Sequence, residues 1–455
     1  MPDRDNLARM RESGAENRRD CGQTTGMRLL AWLFVPALVA LSVRAQDPLP
    51  AWLERKAPDL EALYLHLHAN PELSFRETAT AARMAQELKA LGLEVTEGVG
   101  GTGVVAVLKR GEGPVGLVRA DMDALPVAEE TGLPYASKVR AQSADGRAIG
   151  VTHACGHDLH MTCLVGAAGY FAQHENAFAG TLVFVLQPAE ERAGGMKAML
   201  AAGLLTRFPR PAWALALHTA SDLPVGAVGL RSGAAMANVD SCDITVFGVG
   251  GHGAMPHLTI DPIVQSCQLV LDLQTIVTRE IDPMQACVIT VGAIHGGSKH
   301  NLVPDTCELQ ITVRSYTDEV RARMMASIER KAKAVALSFG AKEPKVEFSE
   351  HTPALRNDAD LTARVRAGFV ATLGELNVRE VEPAMVAEDF GRLFGEKIPL
   401  CMFRLGTVLP ERLAALQQQN AVPMLHSSRY WPDYAPALRG GVRALVTAVQ
   451  AAARP

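Results

Sequence analysis

From Pro50 to about Met236, apolar runs at 102–107, 115–119, 181–186 and 213–217 are short and bounded by Gly, Pro or charge. Helix-like stretches at 58–69, 77–91, 160–172 and 194–203 alternate with them. Short runs with little polar alternation are strands covered on both faces, so the pattern predicts an α/β fold whose central sheet, mixed or mostly parallel, is flanked by helices. Ligands in such folds gather beyond strand ends, which directs attention to the residues that follow each run.

From about Ala237 the rhythm changes. A strand at 243–247, a helix at 261–278, strands at 286–291 and 306–313, a helix at 317–337 and a strand at 345–349 follow one another. That β-α-β-β-α-β order is the ferredoxin-like arrangement. It predicts an α+β domain at 237–349, inserted between catalytic segments at 50–236 and 350–455. After Asn357 the pattern is helix-rich, and 436–453 reads as a closing helix with its proline in the first turn.

With 455 residues, 48% of them apolar, the chain is long enough for two cores. A formal charge of -4 announces neither a nucleic-acid surface nor acidic disorder, leaving a small neutral or anionic substrate open. The N-terminus has a different character. Residues 1–26 are polar and Arg-rich, 29–43 are almost wholly apolar, and Val43-Arg44-Ala45 offers small side chains where a signal peptidase inspects them. This predicts an export signal at 27–45, translation starting at Met27, a non-native extension at 1–26, and a periplasmic or secreted product. The apolar stretch falls short of the roughly 20 residues needed to span a bilayer. The eight cysteines are scattered and do not form a disulfide framework.

The densest chemistry lies in His153-Ala-Cys155-Gly-His157-Asp158-Leu-His160, three imidazoles, a thiol and a carboxylate in one stretch. Sulfur with imidazole suits zinc and other late first-row ions, and Gly156 lets the backbone turn Cys155 and His157 toward one ion. The plain alternative is a set of satisfied polar residues at a helix start. Beyond the run 181–186 comes Gln187-Pro188-Ala189-Glu190-Glu191. In an extended segment adjacent side chains diverge, so one glutamate can bind metal while the other acts on water as a base. His218 ends the run 213–217, and His426 stands in a polar setting. Singly each is an ordinary histidine. Together Cys155, His157, Glu191, His218 and His426 supply ligands for two ions sharing a bridging group. Asp121 and Asp123, after the run 115–119, are placed to orient a ligand histidine or to cap the next element.

The order of these segments resembles the M20 metallopeptidases, in the branch of hippurate hydrolases, auxin-conjugate hydrolases and N-acyl-amino-acid amidohydrolases. The resemblance rests on His68-Ala-Asn-Pro71-Glu72-Leu-Ser, Arg119-Ala-Asp121-Met-Asp123-Ala-Leu-Pro126, His153-Ala-Cys155-Gly-His157-Asp158 and Gln187-Pro188-Ala-Glu190-Glu191. It continues through His218, Gly251-His252-Gly-Ala-Met-Pro256-His257, Asn301-Leu-Val-Pro304-Asp305, Glu388-Asp389-Phe390 and His426-Ser427, spanning nearly the whole mature chain. It implies a catalytic domain with an inserted lid that is often a dimerisation surface, Cys155 as bridging ligand, and His157, Glu191, His218 and His426 as the other ligands. Glu190 is implied as general base; Asp123, from the residue reading, joins Glu190 and His252 as a catalytic candidate. His252 and Asn301 are similar to residues that meet substrate when the lid closes, and some members place that histidine in the neighbouring subunit's site. Arg314 is a second candidate for the substrate carboxylate, against an ordinary surface salt bridge. Departures from the pattern are Arg192, Ser428 and Gly391.

The expected reaction is hydrolysis of small N-acyl amino acids, dependent on two divalent ions, Zn2+ or Mn2+, with Ni2+ or Co2+ also compatible. A dipeptidase or carboxypeptidase breaks the same kind of bond and stands as the alternative. Cysteine nucleophile catalysis by Cys155 with His157 is disfavoured, because it has no need of two glutamates and two distant histidines. A non-catalytic binding protein would more naturally lack Glu190 or one of the ligands.

Overall fold

The computed structural model describes residues 48–142 and 146–454. The expected extension at 1–26 and export signal at 27–45 lie outside the described residues. Among those described, no helix is long and apolar enough to cross a membrane.

An eight-stranded sheet forms the centre, in the spatial order Glu94–Glu97, Val104–Arg110, Gly180–Gln187, Val115–Asp121, Trp213–Pro224, Leu400–Val408, Val228–Leu230, Val378–Glu380. Its four inner strands, Gly180–Gln187 through Leu400–Val408, run parallel. Antiparallel pairing beyond Gly180–Gln187 on one side and beyond Leu400–Val408 on the other makes the sheet mixed. Side chains alternate between two apolar cores. Val118, Ala120, Phe184 and Leu186 face the larger core with helices Pro48–Ala69, His157–Gln173 and Tyr434–Ala452, while Leu117, Val183 and Val185 face a smaller one with Met196 and Met199. Burial on both faces explains the unalternating runs in the sequence, each large apolar side chain contributing about 1.5–3 kcal/mol relative to exposure.

Three features differ from expectation. The first helix begins at Pro48 and carries Pro58 in its interior. Burial of Leu49, Trp52 and Leu53 against the core outweighs the roughly 3 kcal/mol that an interior proline costs. The helix expected at 160 starts at His157, because Gly156 turns the chain in the left-handed region, φ 81°. After Asn357 the chain also supplies Leu400–Val408, an inner strand of the sheet, in a region whose pattern reads as helix-rich. A short buried apolar run carries no period that separates strand from helix.

The second sheet is antiparallel throughout, in the order Cys287–Gly296, Thr306–Ser315, Asn238–Phe247, Lys345–Thr352. Cys307, Leu309, Ile311 and Val313 are buried while Glu308 and Gln310 between them are exposed, the mark of a sheet covered on one face. Helices Pro262–Thr275 and Asp318–Ser338 cover that face with Leu269, Leu273, Met324 and Ile328. Each starts at a side-chain cap, Asp261 accepting from Ile263 and Val264 N–H, and Thr317 from Val320 N–H. The first passes into a π turn at Ile276–Glu280 rather than continuing as α-helix to 278.

Candidate metal centre

The parallel strands end on one edge of the large sheet, and the polar residues that follow them converge there. Cys155 and His157 flank the left-handed Gly156, where a Cβ would stand 2.8 Å from the Thr219 side chain. Glu190 and Glu191 are not in an extended segment as the sequence suggests. They occupy a 3₁₀ turn, Glu190–Arg192, entered through Ala189 (φ 49°) and left through Ala193 (φ 50°). Such non-glycine backbone costs of order 1–3 kcal/mol per residue and persists only when the surroundings hold it. Asp123 does so, its carboxylate accepting the Glu190 and Glu191 N–H groups at 3.0 Å each and the Ser74 hydroxyl at 2.6 Å. Glu77, fully buried, accepts Ala189 N–H at 2.8 Å. His426 also sits at positive φ, 68°.

Two groups of potential ligand atoms share one sulfur. Those of Cys155, His157 and His218 lie within 4.8 Å of one another, and so do those of Cys155, Glu191 and His426. Hydrogen bonding sets the histidine tautomers. His157 Nδ1 is 2.7 Å from the Asp123 carbonyl and His218 Nδ1 is 2.9 Å from the Thr219 carbonyl. A carbonyl only accepts, so both rings carry a proton on Nδ1, and Nε2 is the nitrogen left to meet an ion. His157 Nε2 and Glu191 Oε1 are buried without a hydrogen-bond partner. Cys155 Sγ lies 3.6 Å from His218 Nε2, and His426 Nε2 lies 3.4 Å from Glu191 Oε1.

Three other acidic or imidazole groupings overlap this centre. In one, His160 has neither nitrogen to offer, with Nδ1 2.6 Å from Asp121 and Nε2 accepting Thr219 N–H at 2.8 Å. In another, Glu190 approaches Glu388 and Asp389, where the buried Arg119 guanidinium already supplies positive charge. In the third, Glu190 joins Glu191 and His157, which places it beside the ligand set.

The electrostatics describe a pocket short of cations. Burial, reinforced by Glu388 and Glu191, holds the Glu190 carboxyl well above the usual range. Burial also lifts Glu191 to about 7, and burial with Glu191 and Glu190 pushes the Cys155 thiol up. For His157 burial acts downward, yet Asp121 and Asp123 outweigh it and raise the ring to about 10. Crowded anionic donors resist ionisation in a dry site until positive charge enters, and a divalent ion reverses that balance. Thiolate, imidazole and carboxylate donors, unpartnered buried atoms and a shared sulfur fit two such ions.

The family model for peptidase family M20/M25/M40 matches residues 117–420, more than half of the chain. The chain belongs to that family. It is 39% identical over 373 residues to thermostable carboxypeptidase 2 of Saccharolobus solfataricus, covering 81% of this chain and 88% of the relative. It is 37% identical over 378 residues to the hippurate hydrolase of Campylobacter jejuni, covering 82% and 91%. A solved M20 structure from Bacillus subtilis, described as a dinuclear metal binding peptidase, superimposes with a TM-score of 0.72 at 30% identity, covering 87% of this chain and 98% of that one.

For an M20 chain the remaining sequence candidates divide in two. Asp123 is buried, and its carboxylate is engaged by the Ser74 hydroxyl and the N–H groups of the glutamate turn. His252 and Asn301 stand together in the second sheet region, joined by the Gly253 N–H to Asn301 carbonyl bond of 2.9 Å, and both are exposed. No hydrogen bond or ion pair among the described residues ties them to the Cys155 group. His252 Nδ1 accepts Ala254 N–H at 3.0 Å, which leaves Nε2–H as an outward donor. Among the described residues Arg314 makes no salt bridge; its Nη1 donates to the Met385 carbonyl at 2.7 Å. Gly391, a departure from the pattern, fits where a Cβ would be 3.0 Å from the Ala354 oxygen. Arg192 is exposed beside Glu190–Glu191. Sequence reasoning assigned no role to Arg119, His160 or Thr219, although the first two stand inside the motifs it singled out.

Proposed function

We propose that this protein is an exported, two-metal amidohydrolase that cleaves N-acyl amino acids to a carboxylic acid and an amino acid. The observation that carries this reading is the sulfur of Cys155, common to two triads of ligand atoms, with Glu190 adjacent and left free of them. Cys155, His157 and His218 would hold one ion, and Cys155, Glu191 and His426 the other. When bound, the ions supply charge that acidifies water and polarises the amide carbonyl.

The chain's own groups account for the proton traffic. Glu190 takes a proton from the attacking water and returns it to the leaving nitrogen, since an amine departs far more readily than its anion. Asp123 keeps the base in place through the backbone of the turn. His252 Nε2–H, Asn301 and Arg314 are assigned to the substrate, His252 to the developing oxyanion and the other two to the amino-acid carboxylate. Zinc is the preferred ion on the softness of thiolate and imidazole, with manganese next.

Export is supported by the apolar stretch 29–43 and the small residues at Val43 and Ala45. A homodimer through the inserted domain is supported by exposed Val264 and Leu271 on helix Pro262–Thr275 and by the free edge of strand Cys287–Gly296. A second reading, a carboxypeptidase or dipeptidase, is favoured by the similarity to the Saccharolobus enzyme. Benzoyl-, acetyl- and long-chain acyl-amino acids assayed beside dipeptides, before and after chelation, separate the readings. Chelator-sensitive release of amino acid from the acyl substrates is expected; turnover of dipeptides alone would exclude the N-acyl assignment.

A further inference from the structure

Thr219 follows His218 on strand Trp213–Pro224 and is fully buried. Its three polar groups all serve the Cys155–His218 side of the centre. The hydroxyl donates to the Cys155 carbonyl at 2.7 Å. The carbonyl accepts His218 Nδ1–H at 2.9 Å, and the N–H donates to His160 Nε2 at 2.8 Å. The side chain packs directly on the Gly156 turn. His160 in turn donates from Nδ1 to Asp121 at 2.6 Å, and Asp121 accepts Arg119 Nη1–H at 2.7 Å. Arg119 also binds Glu388, on the returning segment of the chain, at 2.9 Å. A continuous buried chain of hydrogen bonds thus runs from Glu388 to the two residues that face each other as thiol and imidazole.

We propose that Thr219, held by His160, is a positioning residue that fixes the spacing of Cys155 Sγ and His218 Nε2 and thereby the affinity of that half of the centre for its ion. The inference rests on the two-ion reading above. The strand and the Cys155 turn come from distant parts of the sequence, and the Thr219 hydroxyl and carbonyl are the polar groups that join the backbone of one to the ligand ring of the other. Loss of the hydroxyl leaves the Cys155 carbonyl buried without that donor, and the turn relaxes relative to His218. The Glu191–His426 half shares the Cys155 sulfur but has no other contact with Thr219 in this network, so it is disturbed less than the half that also holds His218.

The test uses the full mature protein, stripped with chelator and titrated with Co2+, whose thiolate charge-transfer band reports the sulfur directly. Wild type is expected to take two ions. Thr219→Val keeps the shape and removes the hydroxyl; it should bind the second ion, on the His218 side, about 10–100-fold more weakly, weaken binding of the first much less, and show an altered charge-transfer band. Thr219→Ser keeps the hydroxyl and should behave as wild type. His160→Gln presents an oxygen where Nε2 accepted Thr219 N–H, whereas His160→Asn retains only the bond to Asp121, so Gln should bind the second ion more tightly than Asn. Two-ion titration of Thr219→Val with wild-type affinity and spectrum overturns the proposal, as does equal loss in the Val and Ser variants. If circular dichroism shows Thr219→Val unfolded, the His160 pair decides, and equal behaviour of Gln and Asn overturns it. Failure of wild type to bind Co2+ would instead sink the two-ion reading itself.

Discussion

Arg119→Met removes a fully buried cation from a nest of buried carboxylates. The guanidinium donates to Asp121 at 2.7 Å, to Glu388 at 2.9 and 3.3 Å and to Gln187 at 2.9 Å, and lies 3.5 Å from Asp389. Breaking a buried ion pair from one side costs about 3–5 kcal/mol, because the orphaned charge stays behind. Here three carboxylates lose that partner, while Asp121 keeps His160, Glu388 the Phe390 N–H and Asp389 the Met196 N–H, so a loss within that range is expected against a total stability of roughly 5–15 kcal/mol. The loss should depend on pH. Burial already holds Glu388 at about 7 and Asp389 at about 6, with Arg119 pulling both downward. Without it both rise further above their unfolded values of about 4. A carboxyl raised in the folded state destabilises most above its folded pKa, and the penalty fades as pH falls toward the unfolded value. Urea denaturation followed by circular dichroism at pH 8, 6.5 and 5 should therefore show the largest deficit relative to wild type at pH 8. A deficit below about 0.5 kcal/mol, typical of an inconsequential surface change, or one equal at all three pH values would refute this account.

Glu190→Gln should retain both ions while turnover falls by about 10²–10⁴-fold, and loss of metal comparable to a ligand variant would remove it from the role of base. Cys155→Ala should lower the content of both ions measured by elemental analysis, since each triad loses its shared sulfur; unchanged two-ion occupancy would place the thiol outside the centre. His252→Ala should leave metal content intact and lower kcat, and a wild-type kcat would argue against a role at the oxyanion. Glu129→Gln tests the buried knot of His68, Glu129 and Asp158. For His68 burial acts downward but Asp158 and Glu129 raise it to about 9, and for Glu129 burial acts upward but His68 and Thr131 lower it to about 2. The His68 contribution is complete below about 6.5 and disappears as pH rises through 9, while the Glu129 contribution is complete above about 4.3 and disappears as pH falls toward 2. The variant should thus lose most melting temperature between these limits, and a pH-independent difference would contradict the pairing.

The sequence by itself determined the layered α/β centre and the antiparallel second sheet, because burial on two faces and burial on one leave different periods in the chain. Runs such as 115–119 and 181–186 have no polar alternation, while Thr306–Ser315 alternates strictly. The chemical character of the centre was equally legible, since thiol, imidazole and adjacent glutamates cluster at strand ends and the donor types alone limit what they can hold. Strand Leu400–Val408 escaped because a buried run without period is ambiguous, and Pro48–Ala69 because a proline's local penalty is visible in sequence while the packing of Trp52 that offsets it is not. Tertiary structure alone decided which ligand atoms group with which. It brought His426 to Glu191, set the tautomers of His157 and His218 through carbonyls, and turned Glu190–Arg192 into a strained turn held by Asp123. It also assembled Thr219, His160, Asp121, Arg119 and Glu388 into one hydrogen-bonded chain. Those partners are separated by up to hundreds of positions along the polypeptide, and hydrogen bonds of about 3 Å between such residues have no local signature, because they depend on how strands stack in the sheet rather than on any neighbour in sequence.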